Sequence, residues 1–183
     1  EMKGKSYQEE IDWLVTNPDR NEIIKNLTIA QEGNTLVLFQ FVEKHGTVLH
    51  EMISNSVKKG RKVFFVYGGT ETEQREQVRA ITEKENDVII IASYGTFSTG
   101  INIRNLHNIV FASPSKSRIR NLQSIGRGLR KGDKKVVCNL FDIGDDLSWK
   151  SHKNYTLNHL IERVKLYNEE GFDYKLVKID VRS

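Results

Sequence analysis

The chain has 183 residues, of which 38% are hydrophobic and 28% charged, with a net charge of +4 and a pI near 9.1. These values describe an ordinary globular domain large enough to bury a full core, and they exclude a collagen-like, low-complexity or disulfide-stapled chain. No apolar run approaches the ~20 residues of a membrane span, and the one cysteine, Cys138, has no internal partner, so a cytoplasmic protein with no membrane partner is expected.

Residues 7–31 read as two helices, the second opened by Asn17-Pro18-Asp19, with Asn17 as N-cap and Pro18 at the first helical position. Apolar runs then alternate with amphipathic stretches. Thr35–Val42, Lys62–Tyr67, Asp87–Ser93, Asn108–Ser113 and Lys135–Phe141 are rich in β-branched and aromatic residues along their whole length. Such runs predict strands covered on both faces, as in a parallel sheet flanked by helices. Val48–Lys59, Glu71–Glu85 and Arg118–Arg130 are the intervening helices. Strand–helix alternation of this kind predicts an α/β fold, a doubly wound and mostly parallel sheet.

Beyond the sheet, Asp142-Ile-Gly-Asp-Asp146 reads as a turn or helix cap, followed by a helix over 155–169 that Gly171 ends. Tyr174–Val181 alternates as an edge strand with one wet face would. The expected division is a helical lead-in at 1–31, the sheet domain at 32–147, and an extension at 148–183 packed on it. Cys138 lies in a strand-like run and reads as a small core residue. Trp13 and Trp149 read as core or inter-helix packing, and Lys58, Lys59, Arg61 and Lys62 as a solvated helix end.

The segment Gln123-Ser-Ile-Gly-Arg-Gly-Leu-Arg130 carries the most chemistry. On a helix Gln123, Arg127 and Arg130 share one face. Gly126 and Gly128 flank Arg127, and glycine within a helix costs up to ~1 kcal/mol, which points to something approaching the backbone closely. Two guanidiniums that cannot lose their charge, with an amide beside them, suit a polyphosphate. An isolated pair of arginines would read more readily as a solvated basic helix end, which Lys131, Lys134 and Lys135 continue.

The other segments reverse that balance. Gln-x-x-Gly-Arg-x-x-Arg resembles motif VI, the arginine-finger motif of superfamily 2 helicases. Ile90-Ile-Ala-Ser-Tyr-Gly-Thr-Phe-Ser-Thr-Gly-Ile-Asn102 resembles motif V, Leu36–Val42 resembles motif IV, and Val66-Tyr-Gly-Gly-Thr70 followed by Arg75 resembles motif IVa. The four occur in order across residues 35–142. Within the superfamily, the wording of motifs V and VI is similar to that of the recombination and repair helicases of T4-type phages.

This resemblance implies a RecA-like C-terminal motor lobe that closes on ATP with an N-terminal RecA-like lobe of the same polypeptide. It implies Arg127 and Arg130 as the catalytic finger pair with Gln123 beside them, and Gly100, Asn102 and Gly126 at the nucleotide. Many relatives carry Asp where Asn102 stands, which puts a ribose or charge role there in doubt. Gln40, Gly68, Gly69, Ser93, Thr96 and Thr99 would face nucleic-acid backbone, and Arg104 reads as either a phosphate contact or an exposed side chain. DNA, branched or in RNA–DNA hybrids, is the implied partner.

The chain has no Gly-x-x-x-x-Gly-Lys-Ser/Thr loop and no Asp-Glu-x-His, so ATP and Mg²⁺ would be bound mainly by the other lobe and this segment alone would be inactive. Its histidines and cysteine form no metal-ligand pattern, and no metal ligand is expected. The alternative reading is a non-catalytic nucleic-acid-binding module that keeps the RecA-like fold.

Overall fold

A computed structural model describes residues 6–100, 103–114, 138–169, 171 and 175–180, with the side chains of 98–100 left aside. Two helices, α1 (Tyr7–Thr16) and α2 (Pro18–Ala30), precede β1 (Thr35–Phe39). A π-helical turn (Val42–Gly46) runs into α3 (Thr47–Ser54). Then come β2 (Val63–Val66), α4 (Thr72–Lys84), β3 (Ile89–Ser93), α5 (Tyr94–Gly100), β4 (Asn108–Phe111), β5 (Asn139–Asp142) and α6 (Tyr155–Glu169). The expected cap holds: Asn17 Oδ1 accepts from the Arg20 amide at 3.0 Å, with Pro18 in the first turn. Ser6 and Glu9 form a capping box at the start of α1.

The five strands pair in the order β2-β3-β1-β4-β5, every neighbour parallel. The sheet is doubly wound, and alternate residues of each strand feed two separate cores. Leu36, Leu38, Ile90, Ala92, Ile109 and Phe111 point to the layer holding Val78 of α4 and Tyr167 of α6. Val37, Phe39, Ile89, Ile91, Val110 and Ala112 point to the layer of α2 and α3, against Ile24, Leu49 and Ile53. Burial on both faces is why these strands lack polar alternation. Cys138 packs half-buried at the rim of the first core, and burial pushes its thiol up to about 11.

Lead-in and extension meet. The buried Glu10 of α1 accepts from the Tyr155 and Thr156 amides at 3.1 and 2.8 Å, capping α6. Arg20 grips Asp145 through Nε and Nη2 at 2.7 and 3.0 Å. Arg163 grips Asp142 in the same two-pronged way, at 2.6 and 2.9 Å, and Tyr167 donates to the same carboxylate. The acids at and after the end of β5 therefore do structural work: Asp142 and Asp145 through ion pairs, and Asp146 alone in the turn role expected of the segment. Gly171, at φ +70, follows the end of α6.

Three expectations are corrected. Residues 175–180 belong to no strand, and Leu176, Val177 and Ile179 are all largely exposed. Their alternation has no neighbouring strand to give it a ladder and no layer to bury one face, so the pattern alone does not make an edge strand. Of the core or inter-helix packing expected of Trp13 and Trp149 the core reading fails, since they are 44% and 42% exposed. Arg61 is not solvated surface. Its side chain is buried and donates to the carbonyls of Asp87, Ile29 and Gln31 at 3.1, 3.1 and 3.0 Å.

Candidate nucleic-acid interface at the carboxyl edge of the sheet

Parallel pairing puts the carboxyl ends of all five strands on one edge, where open α/β sheets carry their ligands. Gln40, Tyr67–Thr70, Ser93–Thr96, Ala112–Pro114 and Ile143–Asp146 emerge there. Three loops carry the residues singled out from the sequence.

The loop after β2 is a closed turn. Thr70 donates its amide to the Tyr67 carbonyl at 3.0 Å, and its hydroxyl accepts from the Tyr67 amide at 3.0 Å. Arg75 reaches back from α4 and donates to the Thr70 and Gly68 carbonyls at 2.9 and 3.0 Å. With the carbonyls taken up by Arg75, the turn exposes Gly68 and Gly69 at its tip. A Cβ at Gly69 would lie 2.7 Å from the Tyr67 ring, whereas one at Gly68 would meet nothing within 4 Å. Arg75 acts as the brace of this loop.

At the end of β3, Ser93 caps α5. Its Oγ accepts from the Thr96 amide at 3.4 Å and lies 2.7 Å from the Thr96 hydroxyl. Ser93 is half-buried, while Thr96 is 4% exposed with its hydroxyl turned to Ser93. Of the two, Ser93 is the one open to a ligand, and Thr96 holds it. Thr99 and Gly100 close α5. Gln40, in the bend after β1, is exposed, and so is Arg104, whose amide donates to Glu83 at 3.0 Å. Asn102, Gln123, Gly126, Arg127 and Arg130 lie outside the described residues.

The sequence did not single out the buried group between these loops. His45, in the π-helical turn, is fully buried, with Nε2 2.8 Å from Asn21 Oδ1 and Nδ1 2.5 Å from Ser113 Oγ. Asn21 Nδ2 donates to the Val15 carbonyl at 3.1 Å, which turns its oxygen to the ring. His45 Nε2 is then the donor, and in a neutral ring Nδ1 accepts from Ser113. The buried Tyr94 donates its hydroxyl to the Ser113 carbonyl at 2.9 Å. Ser113, where the chain leaves β4, is thus held by the turn after β1, whose His45 is fixed by Asn21 of α2, and by the residue after β3. A lone histidine amid charged residues gave little signal, because its partners lie 24 and 68 residues away. π-Helical turns often mark functional sites, and this one fixes Ser113 at the exit of β4.

Among the described residues no group of three His, Cys, Asp or Glu side chains could hold a metal ion, and no helix is long and apolar enough to cross a membrane.

Comparison with known proteins adds to this geometry. The helicase conserved C-terminal domain family matches residues 19–132. The ATP-dependent DNA helicase uvsW of Enterobacteria phage T4 is 37% identical over 98% of this chain, which spans 38% of that relative's length. The putative ATP-dependent helicase IRC3 of Saccharomyces cerevisiae is 26% identical over 71% of the chain, spanning 19% of that protein. The crystal structure of T4 UvsW superposes with a TM-score of 0.80 at 38% identity, covering 95% of this chain and 37% of that one. The C-terminal domain of the DEAD-box protein Dbp5 has a TM-score of 0.59 at 12% identity, over 85% and 82% of the two chains, a likeness of fold.

Proposed function

The chain belongs to the helicase conserved C-terminal domain family, and we propose that it is the second motor lobe of an ATP-dependent superfamily 2 DNA helicase in the cytoplasm of a phage-infected host. Its substrates are branched DNA and R-loops met in recombination, repair and replication restart. The lobe closes with an N-terminal RecA-like lobe over ATP. Arg127 and Arg130 meet the charge that spreads over the transferring phosphoryl oxygens, and Gln123 positions them. Fixed guanidiniums in such sites are worth ~10³–10⁵ in rate.

The observation that carries this reading is the family match running through Gln123–Arg130 on a chain whose described loops are braced at one edge. In this reading Ser93, Thr99, Gln40 and the exposed amides of Gly68 and Gly69 take strand backbone, and Thr96 supports Ser93. Gly100, Asn102 and Gly126 lie towards the nucleotide. The acids after β5 are committed to Arg163, Arg20 and Ser148. Mg²⁺ and most of the ATP would therefore be held by the other lobe. In the three-part division at 1–31, 32–147 and 148–183, Arg20 and Arg163 clamp the two ends to the sheet domain, and Glu10 joins the ends to each other.

The test joins this chain to its N-terminal lobe and measures DNA-stimulated ATP hydrolysis. Arg130→Ala should lower turnover by roughly a thousandfold or more, and unchanged turnover would remove the finger assignment. The isolated chain should show no hydrolysis above background; clear turnover would remove the two-lobe reading.

A further inference from the structure

Trp149 sits on a built turn that follows Asp146 and lies outside the motif words. Its amide donates to the His152 carbonyl and the His152 amide donates back, both at 3.0 Å, an isolated antiparallel bridge that closes a two-residue turn. Lys150, at the first corner, has φ +53 and is the one non-glycine residue with positive φ among the described residues. L-residues adopt that conformation only where their surroundings impose it.

The flanks of the turn are tied down. Asn154 accepts from the Leu147 amide at 2.8 Å and donates to the Asp145 carbonyl at 2.9 Å and the Thr156 hydroxyl at 3.0 Å. Asp146 accepts from the Ser148 amide at 3.0 Å and from its hydroxyl at 2.5 Å. The loop is therefore held rigid, yet it leaves an indole open to solvent.

The charge around that indole is basic. The Lys150 ammonium lies 6.0 Å from the ring centroid. Ser148 holds the Asp146 carboxyl below the usual carboxylate range, and Lys178 and Lys153 lie near enough to lower it further. Lys150 thus lies by the indole itself, Lys153 and Lys178 lie by Asp146 three residues before it, and Asp145 is spent on Arg20. An indole on a rigid turn among cations is the arrangement by which proteins hold unpaired nucleic acid: a base stacks on the ring and ammonium groups take the flanking phosphates.

We propose that Trp149 is a stacking platform for a base of single-stranded nucleic acid, with Lys150, Lys153 and Lys178 on the adjacent phosphates. This is a contact outside the helicase motifs, and it rests on the reading that the chain acts on nucleic acid. A duplex offers no base face to stack, so the site discriminates for the single strand.

Fluorescence anisotropy of a labelled oligothymidylate with the full-length protein tests it. Trp149→Ala should weaken binding by about fivefold to a hundredfold, the range of a lost base–aromatic stack. Trp149→Phe should keep most of the affinity. Lys150→Gln, Lys153→Gln and Lys178→Gln together should flatten the slope of log affinity against log salt by about 2, at ~0.7 per single-strand phosphate contact. Unchanged affinity in Trp149→Ala, or an equal loss on a blunt duplex, would overturn the platform while leaving the helicase reading in place. Wild-type protein that does not bind the oligonucleotide at all would sink both.

Discussion

The two edges of the sheet are built from similar residues and put them to opposite uses. At the amino edge, side chains face inward to close the domain. Asn34 is fully buried: its Nδ2 donates to the carbonyls of Thr82, Glu85 and Asn105 at 3.1, 2.7 and 2.8 Å, and its Oδ1 accepts from the Val88 amide at 2.9 Å. Asn108 donates to the Glu32 carbonyl at 2.8 Å, and Arg61 ties the loops before β1 and β3. At the carboxyl edge the middle is locked through His45, Ser113 and Tyr94 and the β5 end through Arg163 and Arg20, while Arg75 braces the β2 loop from its carbonyl side. The β2 and β1 ends there leave Gly68, Gly69 and Gln40 exposed. Local sequence does not set this difference. It comes from whether a loop has helix ends and carbonyls packed over it, and at the carboxyl edge those are withheld where a ligand would lie.

The largest test of that contrast is Asn34→Ala. The substitution strands the Val88 amide and the Asn105 carbonyl, while the Thr82 and Glu85 carbonyls keep Asn105 Nδ2, and each buried group left unsatisfied costs about 1–3 kcal/mol. A loss of roughly 3–4 kcal/mol is expected from urea unfolding, with nucleic-acid affinity unchanged at temperatures where the variant is folded. A loss below about 1 kcal/mol, within the range of ordinary surface substitutions, would mean the amino edge is not the lock described here.

Next comes His45→Ala, in the locked middle of the opposite edge. Removing the ring opens a cavity and strands Asn21 Oδ1 and Ser113 Oγ, for a loss of roughly 2–3 kcal/mol. Unlike Asn34→Ala it should also loosen the exit of β4. DNA-stimulated ATP turnover of the full-length protein should then fall further than the stability loss accounts for, when measured well below the melting temperature. Turnover that falls only in step with the unfolded fraction would reduce His45 to a core residue.

The sequence made the sheet legible because its central strands β1, β3 and β4 are buried on both faces, and a continuous run such as Thr35–Phe39 has no other good reading at that length. The helix at 155–169 was equally plain, with a short turn before it and Gly171 after. Three features were not legible, for one shared reason. Residues 175–180 have the right alternation, but pairing needs a neighbour that composition cannot supply. Arg61 looks like a helix-end cation until the carbonyls of Ile29, Gln31 and Asp87 are seen around it. His45 acquires its role from Asn21 and Ser113, both distant in sequence. The candidate site divides the same way. Gly68, Gly69, Ser93 and Arg75 were singled out because short words mark loops after strands, whereas the bracing roles of Arg75 and Tyr94 are visible only through the partners they hold.

The smallest effects fall on the exposed tip of the β2 loop, and they sharpen the contrast most, because fold and ligand make different demands on two adjacent glycines. A methyl at Gly69 meets the Tyr67 ring at 2.7 Å and must push it off Phe65, whose ring centroid lies 5.4 Å away. That should cost about 1 kcal/mol in urea unfolding. A methyl at Gly68 meets nothing within 4 Å, and neither glycine has a positive φ, so Gly68→Ala should change stability by less than about 0.5 kcal/mol. Since the fold makes no demand for glycine at 68, any requirement for it must come from a ligand approaching the backbone. Gly68→Ala should therefore keep the melting temperature of the parent while weakening single-strand binding by a few-fold in the same anisotropy assay. Full affinity in that variant would place the nucleic acid elsewhere along the edge, nearer Gln40 and Ser93, and leave the β2 tip as ordinary surface.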